Sequence, residues 1–180
     1  VIDEKVLVSQ LKNSRTQETA FRSLMTAYKE RLYWHIRKMV LNHEDADDVL
    51  QNTFIKVFKN IHKFNEDSKL FTWIYRIATN EAITFINKKA KVKNVELSEL
   101  QSEMASNLES DNHFNGDQIQ LILQKAIVTL PHKQQLVFNM KYFDEMKYDE
   151  MSEILDTSVG ALKASYFHAV KKIEKYIKTH

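Results

Sequence analysis

Across 180 residues this chain has only two glycines, Gly116 and Gly160, and one proline, Pro131. Tight hairpins and βα turns draw on those residues for their special backbone angles. So few of them exclude a fold rich in hairpins or βαβ units and predict an all-α chain. Hydrophobic residues make up 43% of the sequence, enough to bury real cores, and the length suits one domain or two small ones.

Apolar spacing places the helices. Leu7 and Leu11, then Phe21, Leu24, Tyr28 and Leu32, then Ile36 and Met39 follow a helical period. Asn42-His43 breaks it. Glu44, Asp45, Asp47 and Asp48 then open a helix, where the positive end of the helix dipole favours acids. Its buried stripe is Leu50, Phe54, Val57, Phe58 and Ile61. A loop over Asn65, Glu66, Asp67, Ser68 and Lys69 precedes a helix from Phe71 to about Lys89. The core side of that helix is Phe71, Ile74, Ile77, Ala78, Ala82 and Phe85.

From Val95 to Asp117 there is no lysine or arginine, while acids, Ser, Asn and Gln abound, and Asn115-Gly116 is a turn signal. That composition predicts a mostly flexible acidic linker with short helical pieces at most. A second helical block begins near Gln118. Pro131 suits a first helical turn, and Leu136, Val137 and Met140 follow it. The expected organisation is therefore two small helical domains, 1–94 and 118–180, joined by an acidic linker over 95–117.

The stretch Tyr148 to Ile173 reads as a short amphipathic helix, a tight turn and a longer basic helix, the pattern of a helix-turn-helix. Met151, Ile154 and Leu155 form the apolar side of the first helix. Ser158 suits the N-cap of the second, and Leu162, Tyr166, Ala169 and Ile173 keep its core stripe. Ala161, Ser165, His168 and Lys172 form another stripe, able to approach base edges and phosphates. A plain helical hairpin with a solvated lysine face is the competing reading. Net charge is only +2, but it is unevenly placed. Val159 to His180 holds five lysines against Glu174 alone; Phe71 to Lys93 holds Arg76, Lys88, Lys89, Lys91 and Lys93 against Glu81. Such local concentrations fit phosphate contacts.

Chemistry of the catalytic kind is not legible. Two isolated glycines make no phosphate loop, and no G-x-S-x-G elbow or metal-binding H-E-x-x-H is present. The chain has no cysteine, which excludes disulfides, thiolate metal sites and cysteine nucleophiles. Read as a calcium loop from Asp45, the acidic cluster places Leu50 where glycine is needed and Lys56 where glutamate is needed. A solvated helix start or a partner contact is the better account of it. No metal, cofactor or enzymatic activity is expected. No apolar run reaches the ~18 residues of a membrane span, and Val-Ile-Asp-Glu-Lys does not begin a signal peptide; a cytoplasmic protein is expected.

Three segments, in order, resemble the small extracytoplasmic-function (ECF) group of bacterial sigma factors. Asp45 to Ile61 is similar to the family's acidic D-x-x-Q-x-x-F helix. Phe71-Thr-Trp-Ile-Tyr-Arg-Ile-Ala-Thr-Asn80 is similar to its F-x-x-W-L-x-x-I-A-x-N block, with the tryptophan one position closer to the phenylalanine. Leu130-Pro131, Val137-Phe138, Lys141-Tyr142-Phe143 and the helix-turn-helix are similar to its region four. The resemblance implies a protein that binds RNA polymerase core, on its clamp helices and flap, and directs it to promoters. It implies nucleoid association during initiation and an anti-sigma factor or recruiting protein as a further partner.

By that resemblance Asp45, Asp47, Asp48, Gln51, Asn52 and Lys56 meet polymerase. Asn65, Asp67, Ser68 and Lys69 in the loop, with Arg76, Thr79, Asn80, Ile83 and Asn87 on the helix, meet the unwound −10 element, the loop holding a base flipped from the stack. Ser158, Gly160, Ala161, Lys163, Ala164, Ser165, His168, Lys171 and Lys172 meet the −35 element. Many members carry arginines where Ser165 and His168 stand here, so an A·T-leaning −35 contact is expected. The linker is either a connector through the polymerase cleft or a polar spacer. Two rivals remain: a helix-turn-helix regulator acting without polymerase, and a sigma-like adaptor or decoy.

Overall fold

The computed structural model describes residues 3–108 and 117–180, and among them every regular element is helical. The α-helices are α1 (Glu4–Lys12), α2 (Gln17–Val40), α3 (His43–Asn60), α4 (Leu70–Lys93), α5 (Leu97–Ser106), α6 (Gln118–Val128), α7 (His132–Tyr142), α8 (Tyr148–Leu155) and α9 (Val159–Thr179). A 3₁₀ turn, Ile61–Lys63, follows α3. The chain divides into two compact units, 1–85 and 86–180.

Scarce glycine has a backbone consequence. Leu41, Glu66, Asn94, Glu145 and Asp156 all take positive φ, the conformation glycine usually supplies. Leu41 ends α2 at φ 59° and Asp156 ends α8 at φ 50°. Two helix starts in the first unit carry side-chain caps. Asp3 caps α1, accepting from the Lys5 N–H at 3.0 Å, and Asn42 caps α3, accepting from the Asp45 N–H at 3.0 Å.

In the first unit, α2 and α3 form an antiparallel hairpin across Leu41 and Asn42. Its core takes Leu24, Leu32 and Ile36 from α2, Val49, Phe54 and Val57 from α3, and Ile74, Ala78 and Ala82 from α4. α1 adds Leu7, Val8 and Leu11. The expected core stripe of α4 needs rotating: Phe71, Ile77 and Phe85 are only half-buried, while Thr72, Tyr75, Thr79 and Ile86 are buried. His35 explains part of this. Its ring is wholly buried, stacks on Tyr75 at 4.0 Å and places Nε2 2.8 Å from the Thr79 hydroxyl, which also donates to the Tyr75 carbonyl.

In the second unit, Ala126, Ile127, Leu130, Phe138, Ala169 and Ile173 make one buried cluster, lined by Tyr166 and Phe143. Phe138 stacks on Tyr166 with centroids 5.8 Å apart. The mostly flexible reading of 95–117 is corrected for its first half. Leu97–Ser106 is helical, Leu100 and Leu108 are buried, and Lys93 Nζ bonds Glu103 Oε1 at 2.5 Å. That bond and the Lys93 charge hold the Glu103 carboxyl below the usual carboxylate range. The period Leu100, Met104, Leu108 supplies an apolar side that polar composition masks. Glu109, Asp111 and the Asn115-Gly116 turn lie outside the described residues. The two units meet in sequence at Phe85/Ile86, inside α4, whereas the composition had put a boundary after residue 94.

Candidate docking groove and nucleic-acid interface

Along the α2–α3 hairpin runs an apolar groove of about 600 Å³. Phe21 and Met25 of α2 and Leu50, Phe54, Ile55 and Phe58 of α3 line it, with Asp47, Gln51, Lys29 and Lys59 beside them. Ile55 is 51% exposed and Phe58 42% exposed, although Phe58 belonged to the expected buried stripe. At about 100° per residue, α3 cannot put every member of that stripe in the core. Phe58 turns to the groove instead, edge-on to Phe21 at 5.1 Å.

The six residues expected to meet polymerase separate accordingly. Asp47 and Gln51 line the groove, and Asp48 is exposed. Asp45, Asn52 and Lys56 lie around the helix on another side. Lys56 is tied across to Glu81 of α4, whose side chain is 15% exposed, so its ammonium has a partner within the unit. Sequence reasoning missed Ile55. The signal was present: a large apolar residue off the buried stripe of an otherwise regular amphipathic helix.

Beside the hairpin, the segment 64–70 forms a loop with buried ends. Phe64 is 2% and Leu70 0% exposed, whereas Asn65, Glu66, Asp67 and Lys69 are exposed and Ser68 is half-buried. Asn65 Nδ2 donates to Asp67 Oδ2 at 2.6 Å. On α4, Arg76 and Asn80 are exposed and Asn87, further along the same helix, is too. Ile83 is half-buried at the edge of that stripe. Thr79 leaves the set: it is 1% exposed and its hydroxyl is engaged with His35 and Tyr75. Thr84 is exposed and half-buried Trp73 packs on Phe64 at 5.2 Å; both lie in line with Asn80. Arg76 offers a forked donor for phosphate, and Asn80 and Asn87 can donate to and accept from base edges.

The helix-turn-helix forms from α8 and α9. Ser158 caps α9, accepting from the Ala161 N–H at 3.2 Å. Leu162, Ala169 and Ile173 are buried and Tyr166 is half-buried. Burial raises the Tyr166 hydroxyl above the usual tyrosine range, with Tyr148 and Tyr142 adding to it. Gly160, Ala161, Lys163, Ala164, His168, Lys171 and Lys172 are exposed; Ser165 is half-buried on the flank. Apart from its chain neighbours and the backbone of its own helix, nothing lies within 4 Å of where a Gly160 side chain would begin, so the first turn of α9 is open there. Phe167, 58% exposed beside His168, is a face residue the stripe reasoning overlooked. Lys171 Nζ sits 5.6 Å from its ring centroid.

The profile of Sigma-70 region 2 matches residues 24–92, and that of Sigma-70, region 4 matches 120–173. The ECF RNA polymerase sigma factor SigW of Bacillus subtilis (strain 168) is 30% identical over 97% of this chain and 96% of its own length. This chain belongs to the sigma-70 family, in its ECF group. The ECF RNA polymerase sigma-E factor of Escherichia coli (strain K12) is 25% identical over 98% of the chain and 95% of its own length. Two solved structures share the fold. CnrH, in complex with the cytosolic domain of CnrY, has a TM-score of 0.69 at 19% identity, over 98% of this chain and 97% of that one. The sigma factor RpoE in complex with the anti-sigma factor NepR, from Bartonella quintana, has a TM-score of 0.67 at 16% identity, over 88% and 96%. As an ECF sigma factor the chain acts with RNA polymerase core on promoter DNA in transcription initiation. No helix among the described residues is long and apolar enough to cross a membrane.

Proposed function

We propose that this sigma factor docks core polymerase through the α2–α3 groove and reads the −10 element with the 65–69 loop and the Arg76–Asn80 face of α4. The groove carries the docking assignment: two large apolar side chains of α3, Ile55 and Phe58, stay about half in water while lining one apolar groove with Phe21, Met25, Leu50 and Phe54. An apolar floor edged by Asp47, Gln51, Lys29 and Lys59, with exposed Asp48 on α3, suits a helical partner bearing apolar side chains flanked by charges of both signs. Region 1–94 then serves core and −10 binding, 118–180 serves the −35 element, and 95–117 connects them, in line with the matched segments 24–92 and 120–173.

At the −35 element α9 offers lysines for phosphates and small residues, Gly160, Ala161 and Ala164, for close approach and thymine methyls. Phe167 adds an apolar contact there. Without arginine at positions 165 and 168, base discrimination leans to A·T. The protein has no catalytic activity of its own, works in the cytoplasm on nucleoid DNA, and takes an anti-sigma factor as a further partner, as RpoE does in its solved complex with NepR.

The test is in vitro transcription with purified core polymerase on a promoter library. The expected result is sigma-dependent initiation from a defined set with a strong −10 preference. Tight, sequence-specific DNA binding without polymerase and no initiation with it would refute the reading in favour of a conventional regulator. Free sigma is instead expected to bind duplex DNA only weakly, at roughly 10⁻⁴–10⁻⁶ M, and less as salt rises.

A further inference from the structure

The loop between Phe64 and Leu70 is held at both ends by one helix. Lys12, in the last turn of α1, donates from Nζ to the Phe64 carbonyl oxygen at 2.6 Å. Glu4, in the first turn, accepts the Leu70 backbone N–H on Oε1 at 2.5 Å. Both bonds are partly buried, and they join positions 52 and 66 residues apart. Positions 4 and 12 of a helix stand about 12 Å apart, so α1 spans the mouth of the loop as a bar. Leu7, Val8 and Leu11, all buried, fix that bar to the unit.

The Glu4 bond has a second effect. Leu70 opens α4, whose first turn has no acid of its own. The carboxylate of α1 therefore satisfies an N–H at the start of the helix that carries Arg76 and Asn80. Between the two anchors, Glu66 holds φ 63° without being glycine. Such a conformation persists where its surroundings over-determine it, and the two ties supply that constraint.

We propose that α1 is a splint for base capture, with Lys12 and Glu4 as positioning residues that hold the 65–69 loop in its receiving shape. This rests on the −10 reading above. Neither residue is assigned a contact with DNA. Extruding a base from its stack costs free energy, and a loop that first had to be ordered would add its own entropy to that cost. A loop shaped in advance leaves the binding energy for the base.

The test uses holoenzyme assembled from the full chain on a promoter it selects. Lys12→Met and Glu4→Ala are compared with Lys12→Arg, with Glu4→Gln and with the loop variant Asn65→Ala/Asp67→Ala. Core affinity, permanganate reactivity of the −10 strand and fluorescence of 2-aminopurine placed along it are measured. Lys12→Met and Glu4→Ala are each expected to keep core affinity and to lower open complex about tenfold, or about 1.4 kcal/mol. The fluorescence rise should be lost at the captured position and kept at its neighbours. Lys12→Arg, which can still donate, should restore both, and Glu4→Gln, which can still accept, should be milder than Glu4→Ala. Parental opening in the splint variants, with a defect in the loop variant, overturns the splint and leaves the −10 reading standing. Parental opening in the splint and loop variants alike overturns the −10 reading itself. A parallel fall in core affinity and opening that Lys12→Arg does not rescue means a merely structural role and also overturns the splint.

Discussion

Docking through the groove can be tested by removing its apolar surface while the hairpin stays folded. Ile55 is 51% and Phe58 42% exposed in the free protein. Fully burying such a side chain stabilises by about 1.5–3 kcal/mol. About half of each is still in water, so covering it on docking contributes about 1 kcal/mol per residue, or about 2 for the pair. Ile55→Ser with Phe58→Ser should therefore raise Kd for core polymerase by about thirtyfold. Ile55→Ser alone should cost about fivefold. Phe58 also meets Phe21 edge-on at 5.1 Å, a contact worth about 0.5–1.5 kcal/mol. The double variant should thus melt somewhat earlier, and the single variant is the cleaner measure. Fluorescence anisotropy of labelled sigma titrated with core gives both constants, with circular dichroism to confirm the helical fold. The apolar loss should persist at high salt. The defect of Asp48→Lys with Gln51→Lys should change with ionic strength, because exposed charges are screened. Kd within twofold of the parent for the folded double serine variant would refute docking in this groove.

Three further outcomes are expected. Asn80→Ala should reduce permanganate reactivity of the −10 region while core affinity stays unchanged; equal reactivity would mean that this face of α4 is only solvated. Ser165→Arg should tighten upstream promoter binding and add guanine preference of about 1–3 kcal/mol in a promoter-library assay, since a bidentate guanidinium reads guanine O6 and N7; an unchanged profile would place position 165, half-buried on the flank of α9, out of reach of the bases. His132 of α7 is held below its ordinary 6.5 by burial, which disfavours the imidazolium. The unfolded chain then binds the extra proton first. The part of stability linked to His132 should be fully present above pH ~6.5, fall as pH drops through that value and level off below the depressed folded value. His132→Gln should flatten this dependence in pH-resolved thermal melts, and an unaltered slope would assign it to other groups.

Much of the architecture was legible from local rules. Missing glycine and proline, helical spacing and capping residues such as Asn42 and Ser158 act within a few residues of themselves. They placed α2, α3, α8 and α9 close to their observed bounds. Composition misled at 95–117, because a polar stretch can still carry a narrow apolar side, here Leu100, Met104 and Leu108. The glycine-poor sequence also gave no sign that Leu41 or Glu66 would take left-handed backbone, since for such residues only the surrounding structure selects it.

The sequence by itself determined that this chain is helical, where its helices break, and that it carries a helix-turn-helix and the ordered segments of an ECF sigma factor. Only the tertiary structure decided which way each helix is turned. Periodicity defines a stripe, but a half-turn of ambiguity at its edges is settled by what packs there. Phe58 belongs to the groove because Phe21 meets it on that side. Thr79 is lost to DNA because His35, 44 residues away in sequence, takes its hydroxyl. Lys12 and Glu4 bracket the loop because α1 packs its apolar side onto the same unit. These are contacts between distant segments, and their geometry arises only when the helices come together.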